Sequence, residues 1–165
     1  MKSIIIFRHG KSDWDADYDT DYNRPLKTRG IKAAKKMGQL LKKKKETPDI
    51  IISSTALRAK NTAIIAKKTG KWIADIKYET MIYEGSLNKI ISIIRRQSNK
   101  YNIICLVGHE PILSSFLFKL NYLNFTKFPT AAMARIDFET MKWNKIKLNK
   151  STSKVNWFIK PKDID

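Results

Sequence analysis

The chain has 165 residues and a formal net charge of +18, from 33 Lys plus Arg against 15 Asp plus Glu, and this charge would attract many kinds of anion without selecting among them. The length suits one domain, expected over residues 1–165, and the apolar runs are too short for a signal sequence or a membrane span, which predicts a soluble, cytoplasmic protein. A single cysteine, Cys105, excludes an intramolecular disulfide, and its place inside an apolar run predicts a packed thiol.

The two histidines of the chain each follow a short apolar run. Residues 4–7 lead to His9, and residues 103–107 lead to His109. Runs of this length, rich in β-branched residues, predict buried strands of a parallel sheet, and ligands bind at the carboxyl ends of such strands. The two imidazoles are therefore candidates for one site.

Residues 11–27 form a polar stretch that is too irregular for a helix or a strand and predicts a loop above the end of the first strand. Its spaced aspartates invite comparison with a calcium-binding loop. Counted from Asp13, however, the sixth position is Tyr18 instead of glycine, and the twelfth is Arg24 instead of glutamate. The EF-hand is therefore rejected, and a solvated acidic loop is the preferred interpretation.

Helical and strand patterns then alternate. Thr28 is expected to cap a helix that runs over residues 28–45 with most of its lysines exposed. Residues 49–54 predict a second buried strand, and residues 56–69 predict a helix that is stopped by Gly70.

The second half of the chain continues this alternation and then changes. A weaker strand over residues 76–79 and a loop over residues 81–85 precede a helix capped by Ser86, and Pro111 opens a further helix. Alternating apolar residues then predict antiparallel strands over residues 134–139, 143–148 and 155–159. This order predicts an α/β fold, a three-layer α/β/α sandwich with a mainly parallel central sheet and antiparallel C-terminal strands.

Residues suited to phosphoryl chemistry stand at three strand ends. Arg8 precedes His9, and Arg58 falls in the first turn of the helix after the second strand. A neutral imidazole is a nucleophile, and a guanidinium can hold phosphate oxygens in a forked contact. His109 stands at a strand-to-helix junction, where free N–H groups favour negative charge. Each feature alone also has an ordinary structural explanation, such as an ion pair between Arg58 and the acidic loop.

Several motifs in a fixed order resemble the histidine phosphatase superfamily, also called the phosphoglycerate mutase-like or RHG family, and specifically its short SixA-type branch. The resemblance extends from the first strand to Lys162, and so many ordered motifs are specific, whereas any one alone means little. The motifs are Arg8-His9-Gly10-Lys11-Ser12-Asp13-Trp14, Arg24-Pro25-Leu26 with Arg29-Gly30, Ser53-Ser54 with Leu57-Arg58-Ala59 and Thr62-Ala63, Ile82-Tyr83-Glu84, Val107-Gly108-His109, and Phe128-Pro129-Thr130-Ala131-Ala132.

The resemblance implies a phosphatase that needs no metal or other cofactor and whose nucleophile is His9, phosphorylated on one ring nitrogen. Arg8, Arg58 and His109 would surround the phosphoryl oxygens, and Gly10 would belong to the same phosphate site. Two guanidiniums and an imidazole suit the charge on three equatorial oxygens. Nearby cations also disfavour protonation of His9, and a carbonyl or hydroxyl group on its other ring nitrogen is needed to fix the tautomer.

A leaving group that is not a stable anion needs a proton donor. Glu84 is the first candidate, because the larger family members carry an acidic residue at this place, and Asp13 is the second. Glu110 departs from the asparagine that usually follows the second histidine, and it adds negative charge beside the site. The chain also lacks the inserted segments of the larger mutases, which predicts an open pocket and an accessible substrate such as phosphohistidine on a protein.

Three alternative functions stay open on the sequence. One is a small-molecule phosphomonoesterase of the same family, and another is a phosphate-dependent interaction domain without turnover. The third is a basic nucleic-acid-binding module that would use the lysines of residues 32–45 and the tryptophans at positions 14, 72, 143 and 157. Because lysine is abundant throughout, composition explains the charge better and nucleic acid is not an expected partner. Without an evident apolar interface stripe, a monomer is expected.

Overall fold

A computed structural model describes residues 1–122 and 127–164, and these contain a six-stranded mixed sheet. The strands run in the order β3-β2-β4-β1-β5-β6; β1 to β4 are mutually parallel, and β5 and β6 are antiparallel to their neighbours. The predicted sandwich with antiparallel C-terminal strands is confirmed. The strands are β1 (Lys2–Arg8), β2 (Ile50–Ser53), β3 (Asp75–Tyr78), β4 (Ile103–Gly108), β5 (Met133–Phe138) and β6 (Ser153–Ile159).

Helices cover both faces of the sheet, because successive side chains of a strand point to opposite faces. Ile5 and Phe7 of β1 belong to the core cluster of the first two helices, whereas Ile4 and Ile6 belong to the cluster of the other three. None of the described helices is long and apolar enough to cross a membrane. The helices are α1 (Thr28–Lys44) and α2 (Leu57–Gly70) on one face, and α3 (Met81–Glu84), α4 (Leu87–Arg95) and α5 (Ile112–Lys119) on the other.

The predicted start of α1 is wrong by one residue. Thr28 is the first residue of the helix, and the residue before it, Lys27, caps the helix without a side-chain hydrogen bond. The reason lies in the preceding loop, where the Lys27 N–H donates to the Lys11 carbonyl at 2.8 Å and Ser12 forms a bridge with Leu26. This pairing holds the chain extended as far as Lys27.

Gly70 does not stop α2 as predicted, since the chain leaves the helix one residue later, at Lys71 with φ of 54°. Gly70 instead permits close packing between helices, because a Cβ there would lie 2.3 Å from the Gly38 carbonyl oxygen of α1. The predicted loop at 81–85 is also wrong in part, since its first four residues form α3. The cap at Ser86 is confirmed, since its side chain accepts a hydrogen bond from Lys89 N–H.

The predicted strand over residues 143–148 is wrong. Trp143 begins a short 3₁₀ turn and is fully buried. Its backbone N–H donates to Asn99 Oδ1 and its indole N–H donates to the Tyr101 carbonyl, both at 2.9 Å. Trp143 therefore anchors its loop to the segment before β4. It is buried because of this anchoring, although it is not part of a strand.

Other buried groups match their sequence patterns. Cys105 is fully buried in β4, and burial raises the pKa of its thiol. Trp72 is also buried, and the indole of Trp157 donates to Glu46 at 2.8 Å. Of the four tryptophans, only Trp14 is exposed, at 62%, so these four side chains do not form a row of exposed rings.

Candidate active site

The two histidines lie together at the carboxyl ends of β1 and β4. These strands are adjacent and parallel, with Arg8 opposite Gly108. The backbone N–H of His9 donates to the Gly108 carbonyl at 3.1 Å, and the centroids of the two imidazoles are 5.2 Å apart. Residues a hundred positions apart in the sequence therefore share one rigid frame.

The tautomer of His9 follows from its hydrogen bond. Nδ1 lies 2.7 Å from the Gly10 carbonyl oxygen, which can only accept, so Nδ1 carries the proton and Nε2 presents its lone pair. Burial, above all, lowers the pKa of His9 to about 3, and the neighbouring Arg8 and Arg58 act in the same direction. His9 is therefore a neutral imidazole at pH 7 with a free nucleophilic nitrogen.

His109 lines the same cavity as His9. Its Nε2 lies 2.7 Å from Ser54 Oγ, and that hydroxyl oxygen also accepts from Ala56 N–H at 3.1 Å. Donation from the Ser54 hydroxyl to Nε2 gives the tautomer of His109 that carries its proton on Nδ1. Burial and Arg58 lower the pKa of His109 to about 4.

Three residues that line the cavity beside His9 each have a buried side-chain nitrogen without a hydrogen-bond partner among the described residues. In the described part of the chain, four buried side-chain polar atoms lack a hydrogen-bond partner, and three of them belong to residues that line this cavity: Arg8 Nε, Arg58 Nε and His109 Nδ1. Buried donors without partners are costly unless a ligand satisfies them. Two guanidiniums and an imidazole in one cavity wall are suited to an anion with several oxygens.

The cavity has a volume of about 200 Å³ and is strongly cationic. Four positively charged side chains and a single carboxylate, that of Glu110, contribute to its wall. Within residues 1–122 and 127–164, no three His, Cys, Asp or Glu side chains are grouped as a metal site. The lining residues are Arg8, His9, Lys11, Ser12, Trp14, Arg24, Arg58, His109, Glu110 and Thr130.

Gly10 is required for the backbone at this site. A Cβ at Gly10 would lie 2.7 Å from the Gly30 carbonyl oxygen, so only glycine lets the turn after β1 approach the start of α1. The Gly10 N–H donates to Thr62 Oγ1 of α2 at 3.0 Å, and that hydroxyl donates to the Arg58 carbonyl at 2.7 Å. The turn that carries His9 is thereby tied to the helix that carries Arg58.

Asp21 organises the cationic wall, and its ion pair with Arg58 is the contact between this arginine and the acidic loop that the sequence left open. Its carboxylate accepts hydrogen bonds from Arg24, from Arg58 Nη2 at 3.1 Å and from the Tyr83 hydroxyl at 2.9 Å. Despite partial burial, these partners lower the pKa of Asp21 to about 2. The ring of Tyr83 in turn contacts His109, with centroids 5.5 Å apart. The only local signal for Asp21 is its i, i+3 spacing from Arg24.

Trp14 and Arg24 form one edge of the cavity. The guanidinium of Arg24 lies 3.6 Å from the centroid of the Trp14 ring, and its Nε donates to Ser12 Oγ at 2.9 Å. The stacked pair keeps Arg24 flat against the loop. The motif containing Arg24 was identified in the sequence, but its place in the cavity wall was not.

The candidate proton donors lie outside this wall. Glu84 is exposed at the end of α3, and neither Glu84 nor Asp13 lines the cavity. The side chain of Asp13 instead accepts from Asp15 N–H at 3.1 Å. The structure therefore brings Arg8, His9, Gly10, Arg58 and His109 together and leaves Glu84 apart from them.

The lowered pKa values predict that neither histidine titrates near pH 6.5. In an NMR titration, the ring signals of His9 and His109 should stay at their neutral positions from pH 7.5 to pH 5, while added free histidine titrates near its usual pKa of about 6.5. His9→Ala and His109→Ala assign the two signals. A midpoint above pH 6 for either residue would contradict the prediction.

The same pKa shifts link stability to pH. Imidazoles in the unfolded chain gain protons below about pH 6.5, whereas the folded ones do so only near their lowered pKa values. The unfolded state therefore binds more protons in this window, and the free energy of unfolding should fall as the pH falls from 6.5 toward 4.

Comparisons with known proteins agree on one family. The model of the "Histidine phosphatase superfamily (branch 1)" matches residues 4–90. An uncharacterized protein of Mycobacterium tuberculosis is 31% identical over 137 residues, which are 77% of this chain and 84% of that protein. The 2,3-bisphosphoglycerate-dependent phosphoglycerate mutase of Bifidobacterium longum is 40% identical over 65 residues, which are 38% of this chain and 26% of the mutase.

Solved structures match over nearly the whole chain. A structure of the protein histidine phosphatase SixA complexed with tungstate gives a TM-score of 0.80 at 21% identity and covers 98% of both chains. A candidate phosphohistidine phosphatase SixA from Agrobacterium tumefaciens gives 0.79 at 24% identity, covering 97% of this chain and 98% of that one. These likenesses show a shared fold without large insertions. The family match shows that the chain belongs to the histidine phosphatase superfamily, branch 1, and is an enzyme of the phosphatase class, and the solved structures show that it shares the fold of the SixA structures.

Proposed function

We propose that the protein is a metal-independent phosphatase that forms a covalent phosphohistidine on His9 and acts on phosphohistidine in proteins. One observation carries the proposal: the imidazole of His9, with Nε2 left free, lines one cavity together with Arg8, Arg58 and His109, each of which has a buried side-chain nitrogen without a partner in the described residues. Arg8, Arg58 and His109 would donate to the phosphoryl oxygens. Such donors stabilise the charge of the transition state because they are already in place.

In the first step, His9 Nε2 attacks phosphorus while the bond from phosphorus to the leaving nitrogen or oxygen breaks. Nδ1 keeps its proton, so positive charge develops on the ring, and the Gly10 carbonyl 2.7 Å away stabilises it. In the second step, water attacks phosphorus and the bond to Nε2 breaks. The protons of that water end on the phosphate or in solvent, and His9 returns to its neutral form.

Metal independence is proposed because side chains supply the positive charge. Arg8, Arg24, Arg58 and Lys11 line the cavity. Guanidiniums bind phosphoryl oxygens in a planar forked geometry, and their positions are held by the loop and by α2. Activity in the presence of a chelator is therefore expected.

Phosphohistidine is proposed as the substrate because its leaving group does not have to be protonated by the enzyme. A substrate imidazole that is protonated on its other nitrogen departs as a neutral base, so no carboxylic acid has to protonate it. This fits a cavity that neither Glu84 nor Asp13 lines. Glu84 stays the proposed donor for alkyl esters, which need one. An open cavity also admits a side chain of another protein.

The test uses the intact chain in EDTA with a small protein that carries radiolabelled phosphohistidine. We expect a label on the enzyme after a denaturing quench, stable in base and labile in acid. We also expect kcat/KM to exceed that for simple sugar and glycerol phosphates at least about tenfold. The reverse preference would replace the proposed substrate with small phosphomonoesters, and absence of both label and turnover would overturn the proposal. A cytoplasmic location and a monomeric state stay predictions.

A further inference from the structure

Glu110 is a fixed negative charge in an otherwise cationic cavity. It follows His109 directly, and it is the carboxylate among the residues that line the cavity. Both of its oxygens are held by Ser114 of α5, one by the backbone N–H at 2.8 Å and the other by the hydroxyl. Two contacts to one residue keep the carboxylate in place in the cavity wall.

The two carboxylates near the cavity differ in how their charge is balanced. Asp21 forms ion pairs with Arg24 and Arg58. Glu110 forms no ion pair with any side chain in residues 1–122 or 127–164, and its hydrogen-bond partners come from uncharged Ser114. The negative charge of Glu110 nevertheless acts on Arg8: it raises the pKa of that guanidinium, whereas burial lowers it.

We propose that Glu110 selects against substrates that carry a second anionic group close to the phosphoryl group, and so favours phosphoramidates and esters whose leaving group is neutral or cationic. The inference rests on the proposed function, because it assumes that the phosphoryl group sits among Arg8, Arg58 and His109. It assigns to Glu110 a role in specificity and no part in bond making.

The physical reason is repulsion between like charges in a partly desolvated space. Once the arginines and His109 have engaged the phosphoryl oxygens, a carboxylate or second phosphate on the substrate must lie near the cavity mouth with Glu110. Like charges there repel much more strongly than in bulk water, because the effective dielectric constant is lower. A protonated imidazole leaving group is attracted instead. Discrimination thus comes from a built-in repulsive element.

The test compares two small ligands by calorimetry, since binding does not depend on turnover. Ethyl phosphate and phosphoglycolate have similar size, but only phosphoglycolate carries a carboxylate beside the phosphoryl group. In Glu110→Gln, the dissociation constant of phosphoglycolate divided by that of ethyl phosphate should fall about fivefold or more relative to the unmodified protein. Glu110→Asn provides a second variant if the first folds poorly.

Glu139→Gln is the matched control, because it removes the same formal charge at the opposite end of β5, where the residue is exposed. Its ratio should change less than twofold. An unchanged ratio in the Glu110 variants, an equal change in the Glu139 control, or uniform weakening of both ligands would overturn the inference. Failure of the unmodified protein to bind either ligand would instead remove the phosphate site, and with it the proposed function.

Discussion

Replacement of His9 by alanine is expected to lower kcat/KM for an aryl phosphate by about 10⁴-fold or more. An aryl leaving group is a stable anion and needs little help from an acid, so the assay reports the nucleophile itself. The variant loses the imidazole whose Nε2 lone pair is left free by the hydrogen bond from Nδ1 to the Gly10 carbonyl. It should therefore also lose the acid-labile label.

Ligand binding provides the control for this variant. Arg8, Arg58 and His109 remain in His9→Ala, so tungstate or phosphate should still bind within about tenfold of the unmodified protein. A variant that binds the oxyanion but cannot turn over places His9 in the chemical step. If His9→Ala keeps a tenth of the activity, covalent catalysis at this residue is wrong.

Arg58→Ala is expected to lower kcat/KM about 10²- to 10³-fold, which is the usual cost of removing one preorganised donor from a transition-state site. Arg58 is almost fully buried and its Nε has no partner in the described residues, so alanine removes both a charge and a donor. Arg58→Lys should recover little, because an ammonium cannot reproduce the planar fork. Thermal unfolding checks that the fold is intact.

Asp21→Asn is the matched comparison for Arg58→Ala. The amide can still accept from the Tyr83 hydroxyl, and the Asp21 carbonyl still accepts from Arg58 at 2.8 Å, but the ion pairs with Arg24 and Arg58 are lost. The expected loss in kcat/KM is smaller, about three- to tenfold. A loss equal to that of Arg58→Ala would mean that Asp21 contributes directly to the site.

The strands that position the site could be predicted because their signals are local. A four-residue apolar run before Arg8 and a five-residue run within β4 identify buried strands, and parallel strands have their carboxyl ends at one edge. That reasoning was enough to bring His9 and His109 together. The loop around Trp143 was mistaken for a strand because the local pattern does not reveal the two distant hydrogen bonds that anchor it.

The wall of the cavity could be predicted only in part. Asp21 and Tyr83 meet across 62 positions, and no periodic pattern connects them. The acidic loop was interpreted as solvated, and most of its aspartates are exposed, but Asp21 is an organising residue of the site. The order of the strands in the sheet decides which loops lie next to each other. Contacts between residues of different loops therefore cannot be predicted before that order is known.

The hydrogen bond from His9 N–H to the Gly108 carbonyl ties the attacking residue, one position beyond the end of β1, directly to β4. Its separation from the second ring is then set by strand spacing and exists before any substrate arrives. The two imidazoles are therefore brought together without a closing motion. This arrangement also implies that new substrates in this lineage are acquired by altering the surrounding loops, since the strands cannot widen to fit a larger electrophile.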